Sequence, residues 1–474
     1  MPGMNSGLST DDPVLVAAFR SALLHQGLVA LLVLAVLAAV VIALRRRGRA
    51  GGGAELSAVP GGPDVPPASA GPEPAGRLAL LIGFGNLWLF DGLLQLQPGM
   101  PAGLPSQGIA PAAAASPSWV QHIVSWGVTS WSYHPVPAAA AAVWIQVGFG
   151  IWLLAAPAGT LSRLAGLASA GWGLVVWVFG ESLGGIFAPG LSWLSGAPGA
   201  AALYVAAGVL IALPARAWSG RKLGRLTLAG LGLLLSGMAV LQAWPGRGFW
   251  TGTAHGHLGS LSGMALSMAV TPQPGFLSGW LAGFAALDEA HGFAVNLLVA
   301  AALAVTGAAF LSGRPRLIRP VLAGFTVLCL AVWVLVQDLG FLGGVGTDPN
   351  SMIPFILLAA AGYLALTRMP RAAAPVPAPS VLAPAAAAPA AAAAAVAGLR
   401  PAQRARTGLA RAGQQARDAS ARSLVAAAAA GLVLLGAVPL ALARAGAAAD
   451  PVPAQPVAGA PAPGARQAPP RGTP

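Results

Sequence analysis

The sequence predicts an all-α fold, a polytopic transmembrane helix bundle of about ten spans, each near the length that crosses a hydrocarbon core. Three observations carry this. Hydrophobic residues make up 56% of the 474-residue chain and charged residues only 8%, far below the roughly 25% charged that a water-soluble domain carries. Long apolar runs recur, among them Gly27 to Leu44, Leu78 to Leu96, Leu164 to Phe179 and Ile318 to Val336. The arginines fall between these runs and alternate from one loop to the next.

The runs place spans at about 27–44, 78–97, 137–156, 164–180, 200–214, 226–243, 292–311, 317–337, 353–367 and 424–443. Arg45 to Arg49 follow the first span rather than precede it, an order that speaks against a cleaved signal peptide. Cytoplasmic loops hold the excess of Lys and Arg, so these arginines put the N-terminus outside. The loops then expected inside carry Arg77, Arg163, Arg216 to Arg225, Arg314 to Arg319, and Arg368 with Arg371. The loops expected outside, at about 98–136, 181–199, 244–291 and 338–352, hold a single basic residue, Arg247. A multi-pass protein of the cell membrane with both termini outside follows. The outer loops also carry Trp119, Trp126, Trp131, Trp193, Trp244, Trp250 and Trp280, rings that favour the headgroup zone.

The charge of +13 does not indicate nucleic acid, because that function needs basic residues gathered on one folded face. The partner implied is the lipid bilayer, with room for a membrane protein partner. Cys329 is the sole cysteine and lies inside an apolar run, which leaves no intramolecular disulfide. No phosphate-cradling Gly-Lys loop, His-Glu-x-x-His helix, Gly-x-Ser-x-Gly elbow or Cys-x-x-Cys pair occurs. A soluble-type enzyme is disfavoured, and no catalytic residue is assigned.

Recurring residues divide the chain. Arg163 and Arg319, Trp177 and Trp333, Leu183-Gly184 and Leu339-Gly340, and Pro198 and Pro354 all pair at an offset of 156 residues. Upstream, Gly92 pairs with Gly237 and Leu96-Gln97 with Leu241-Gln242 at an offset of 145. The reading is two four-helix repeats, 78–214 and 225–367, parallel because four is even, with one flanking helix at each end. The remaining segments are an N-terminal part with the first span (1–49), a flexible cytoplasmic linker (50–76) and an Ala/Pro-rich linker (371–399). A basic segment with the last span (400–443) and a disordered outer tail (444–474) complete the chain. Arg400 to Arg422 could rest on anionic lipid heads or simply hold orientation.

Ionisable groups in or beside spans are candidates for function, because charge is costly there. Asp91 lies inside the second span, and Trp88, Asp91 and Gln95 share one helical face through spacings of three and four. No Lys or Arg lies at its depth, so Gln95, Gln242 and His291 are its expected neighbours. Glu181 and the Gln337-Asp338 pair close matching spans before Gly-rich bends, and His134 and His291 open matching spans. Asp91, Gln95, His134, Glu181, His291 and Asp338 are therefore the candidates for a proton-responsive or cation-binding cavity near the outer boundary. The plain alternative for Glu181, Asp338 and the histidines is capping of helix ends in the headgroup layer. A weaker group, His255 and His257 with Met264 and Met268, offers imidazole and thioether ligands that suit copper. Met more often fills apolar gaps.

With the small and aromatic run Gly83 to Pro98 and the segment Trp177 to Gly185, each unit resembles the DoxX-like four-helix membrane proteins, here duplicated. It is also similar to a broader group of actinobacterial membrane proteins with Leu-Gln-Pro and Gly-Glu-x-Leu-Gly-Gly runs. The DoxX-like resemblance implies a subunit of thiol or thiosulfate oxidation coupled to membrane quinone, with His134, His291 and Asp91 relaying protons. A chain with one buried-span cysteine has no thiol pair of its own for such chemistry. The residues themselves favour an accessory subunit or small-solute permease without a cofactor, with quinone or copper as the alternatives.

Overall fold

A computed structural model describes residues 12–51, 73–156, 159–251, 261–271, 273–342 and 345–367. Among the described residues the chain is helical and contains no strand. In order the helices are α1 (Pro13–Gly51), α2 (Ala75–Leu94), the short α3 (Met100–Gly103) and α4 (Ala110–Ala113), α5 (Ser118–Tyr133) and α6 (Pro135–Ala155). Then come α7 (Thr160–Val175), α8 (Ala200–Ala212), α9 (Arg221–Ala243), α10 (Leu261–Ala269), α11 (Gly275–Ser312), α12 (Pro315–Leu335) and α13 (Met352–Thr367).

The expected spans from 27–44 to 353–367 each fall on a helix; the span at 424–443, the basic segment Arg400 to Arg422 and most of both linkers lie outside the described residues. Four corrections follow. First, α1 begins at Pro13 rather than near Gly27, because Asp12 caps it: its Oδ1 accepts from the Val14 N–H at 2.8 Å and the Leu15 N–H at 3.2 Å. Second, among the described residues seven helices are long and apolar enough to cross a membrane, and α8 and α13 are shorter. At 13 and 16 residues they reach about 20 and 24 Å, against a core of about 30 Å. Third, the segments expected as outer loops at 98–136 and 244–291 are largely helical, and α11 continues back from the expected span through a break at His291 (φ −133°). Fourth, Trp193 is not a surface anchor: it is 1% exposed, against Phe325 and Phe355 at ring-centroid distances of 6.0 and 6.1 Å. Trp119, Trp126, Trp244 and Trp280 are exposed.

Small residues let the helices close on each other, which is how apolar helices associate where burial from water supplies no drive between them. The antiparallel pairs are α2 with α6, α7 with α8, and α9 with α11; α13 packs on both α2 and α9 and joins the bundle at its centre. At α7 and α8, a Cβ on Gly166 would lie 2.6 Å from the Gly208 carbonyl oxygen, and a Cβ on Gly208 the same distance from that of Gly166. Gly232 of α9 and Gly307 of α11 oppose each other in the same reciprocal way at 2.9 Å.

One end of the bundle carries most of the described arginines, Arg247 being at the other. Arg77, expected as a loop charge, is instead buried at 1% exposure. It donates to the Ile211 carbonyl from Nε (3.0 Å) and Nη2 (2.9 Å), to Ser162 Oγ at 2.7 Å, and pairs with Glu73. Arg163 Nε donates to the Ala212 carbonyl at 3.0 Å. Two guanidiniums thus cover the last carbonyls of α8, the negative end of its dipole.

The reciprocal glycine contact gives a direct test. Gly208→Ala forces Cβ into backbone atoms and is expected to destabilise the protein by about 1–3 kcal/mol, as overpacking does. Gly171→Ala, with open space around it, is expected to be neutral or stabilising by up to about 1 kcal/mol through helix propensity. Equal melting of the two variants in a lipid nanodisc refutes the close approach.

Candidate functional site

At the end of the bundle opposite the arginines, α2, α6, α7 and α8 surround a cavity of about 650 Å³, within the size range of small-molecule sites. Its polar wall begins on α2. Trp88, Asp91 and Gln95 all line it, as their spacing on one helical face requires. Trp88 is fixed by its indole N–H, which donates to Ser169 Oγ of α7 at 2.8 Å. Its ring stands edge-on to Tyr204 of α8 at 4.7 Å between centroids. Asp91, 2% exposed, interacts with Tyr204. From α6, Gln146 enters the same space.

The helix α7 ends in a wide turn, Val176–Gly180, with the looser i→i+5 bonding that places Glu181 at the mouth of α8. The Glu181 carboxylate accepts from the Ala201 N–H at 3.0 and 3.2 Å, so it occupies the positive end of the α8 dipole. Gly199, at φ +99°, passes so close that a Cβ there would collide with this carboxylate. A third carboxyl comes from the distant segment before α13. Asp348 lines the cavity and accepts from Thr347 Oγ1 at 2.8 Å and from the Asn350 N–H at 2.7 Å.

These acids share one space. Burial, and then the field of Asp348, push Glu181 up to about 8, although the Ala201 and Ala200 N–H groups oppose the shift. Burial likewise pushes the Asp348 carboxyl upward. Asp91 is close enough to feel both. Among the described residues nothing hydrogen-bonds to Asp91 Oδ1, Gln95 Oε1 or Gln146 Oε1, all of them buried.

Of the residues singled out in the sequence, Asp91, Gln95 and Glu181 meet in this cavity. His134 and His291 do not line it: both are exposed and mark breaks in helices, at the α5–α6 junction and within α11. Asp338 is apart as well, buried with φ +50°, its Oδ2 accepting from Thr271 at 3.4 Å, and burial pushes its carboxyl up. Gln242 is not a neighbour of Asp91, because it is tied to Ser192 and Asn296. Asp348, Tyr204 and Gln146 escaped sequence reasoning. Asp348 lies in a loop with no helical period, and Tyr204 and Gln146 carry no charge that draws notice inside apolar runs.

His255 and His257 lie outside the described residues. Of their suggested partners, Met264 packs against the core and Met268 is exposed. Among the described residues no three His, Cys, Asp or Glu side chains converge closely enough to hold a metal ion. No family model, curated protein or solved structure matches the chain.

The raised acids give a pH dependence whose sign is fixed. A carboxyl with a folded pKa above its unfolded one holds its proton more tightly when folded, so its stabilising effect is present below the unfolded value and is lost as pH rises through the folded one. For Glu181 that window runs from 4.5 to about 8, and Asp348 acts in the same direction. Thermal stability in a nanodisc is expected to fall from pH 5 to pH 9, and Glu181→Gln, which keeps an acceptor for Ala201, to flatten the fall. A wild-type curve that rises over this range contradicts the assignment.

Proposed function

We propose that this integral membrane protein receives a small polar solute in the cavity between α2, α6, α7 and α8, as a permease or as the solute-binding subunit of a membrane assembly. The observation that carries the reading is a set of buried polar atoms without partners, Asp91 Oδ1, Gln95 Oε1 and Gln146 Oε1, around one space. Buried acceptors left unmade cost about 1–3 kcal/mol each, and a bound solute would offset that cost. Helices too short to span, continued by irregular backbone lining a cavity, are a recurring way to build solute sites at membrane depth. The arginine distribution supports placing this cavity on the outer side.

The reading includes a duplication. At the offset of 156, Ser182 and Asp338 have φ of +52° and +50°, Leu183 and Leu339 +59° and +60°, and Gly184 and Gly340 +63° and +78°. The indoles of Trp177 and Trp333 each donate to a loop carbonyl, of Pro198 and Pro349, at 2.8 Å. His134 and His291 break helices with nearly equal φ. These support two copies of one unit. Only the first kept the polar wall: the positions matching Asp91, Glu181 and Tyr204 hold Ser236, Gln337 and Ala360. The DoxX-like, quinone-coupled alternative needs a relay through His134 and His291, and neither lines the cavity.

Thiol labelling on intact cells tests the reading in a Cys329→Ser background. Ser118→Cys is expected to react with an impermeant reagent and Ser219→Cys not to; the reverse overturns the orientation. Ser195→Cys, inside the cavity, is expected to react with small water-borne methanethiosulfonates. Reaction with uncharged, membrane-permeant reagents alone would mean a lipid-filled space and end the solute reading.

A further inference from the structure

Resting on that reading, we propose that the solute is a small protonated amine with an apolar or aromatic body. Charge decides the sign. Asp91, Glu181 and Asp348 line the cavity, and among the described residues its lining contains no Lys, Arg or His. An anion would meet three acids and no cation. A neutral solute would leave each carboxylate uncompensated on ionisation, the costly state for a buried acid. A cation offsets them.

Hydrogen-bonding capacity decides the type of cation. Among the described residues the unpartnered buried atoms of the lining include three acceptor oxygens, one carboxylate oxygen of Asp91 and the amide carbonyl oxygens of Gln95 and Gln146, on residues 2%, 4% and 5% exposed, beside the Tyr204 hydroxyl and the Trp172 indole N–H. An ammonium group offers three N–H donors, the complement of those three oxygens, and the Trp172 and Tyr204 rings stand beside it. A quaternary ammonium would supply charge but leave the oxygens unmade. A bare metal ion is the other cation that oxygen atoms suit, but the three carboxyls do not converge as a metal site requires. They are spread around a space of about 650 Å³, which suits a polyatomic ligand.

The rest of the lining decides the body. Trp88, Trp131, Trp172, Phe179 and Tyr204 contribute rings to the wall. Aromatic faces attract an ammonium through the ring quadrupole, and they bury carbon chains or rings without a polar penalty. Two of them are held in place independently of any ligand, Trp88 by Ser169 and Trp131 by the Pro101 carbonyl, which accepts its indole N–H at 3.0 Å.

The test uses the full-length chain in nanodiscs at pH 7 with Ser195→Cys in the Cys329→Ser background. Labelling rates are measured for a trimethylammonium and a sulfonate methanethiosulfonate, each divided by the same reagent's rate with free cysteine. The cationic reagent is expected to be favoured at least tenfold, and Asp348→Asn to reduce that preference severalfold. Phenethylammonium is expected to protect the thiol, whereas phenethyl alcohol and phenylacetate are not. Asp91→Asn, which keeps shape and a carbonyl but loses the charge, is expected to weaken protection about tenfold in a protein that still purifies folded. Equal normalised rates for the two reagents, or protection by the alcohol as strong as by the amine, or none by the amine, overturns the assignment. A thiol that no water-borne reagent reaches would defeat the solute cavity itself, so the two failures are distinguishable.

Discussion

Backbone that leaves the helical state inside a packed bundle must find its hydrogen-bond partners within the protein, and the described residues of 181–199 and 337–351 meet that demand. They precede α8 and α13 in the chain. Each solves the problem by reaching across the bundle. The first buries Trp193 against α12 and α13, and its Leu194 carbonyl accepts from Gln337 Nε2 at 3.2 Å. Its Ser192 hydroxyl donates to Gln242 of α9 at 3.1 Å, and its Leu191 carbonyl accepts from Arg247. The second returns the contact: the Gly346 carbonyl accepts from Gln97 Nε2 at 2.9 Å, and Phe341 meets Phe90 of α2 edge-on at 5.1 Å. The loops are therefore locked to each other's helices, and the cavity is what their crossing encloses.

The opposite end answers a simpler demand. The carbonyls that end α8 have no partners in the helix, and the chain supplies fixed cations there rather than solvent. That Arg77 is buried while most loop arginines lie outside the core separates two uses of one residue type. A guanidinium offers several donors in a fixed fork, so it can satisfy Ile211 and Ser162 at once, whereas the positive-inside distribution needs only charge. Sequence pattern reads the second use and is blind to the first.

The same distinction governs what was legible. Hydropathy finds helices because apolar length is written residue by residue, and α2, α6, α7, α9 and α12 lie close to where it puts them. At α8 and α13 it also finds the position, 200–214 and 353–367, but there the helices are only 13 and 16 residues long. Helical spacing brought Trp88, Asp91 and Gln95 together correctly, because neighbours on one turn follow from local geometry. Asp348 could not be placed that way. Its approach to Asp91 depends on a loop crossing between distant parts of the chain, and no period encodes that. The histidines illustrate the converse: His134 and His291 sit at breaks in helices, away from the cavity.

One consequence follows from where the third carboxyl comes from. Asp91, Glu181, Gln146 and Tyr204 belong to the part of the chain before α9, and Asp348 belongs to the part after α12. The cavity is thus a property of the assembled bundle, and neither part completes it alone. On the proposed duplication the positions matching Asp91, Glu181 and Tyr204 are Ser236, Gln337 and Ala360, all uncharged. Gln337 shows the alternative use of the same position: where Glu181 turns its carboxylate to the mouth of α8, Gln337 donates its amide to the crossing loop that shapes the cavity. On the proposed duplication, one copy retained the ligand groups while the other became the brace that holds them apart.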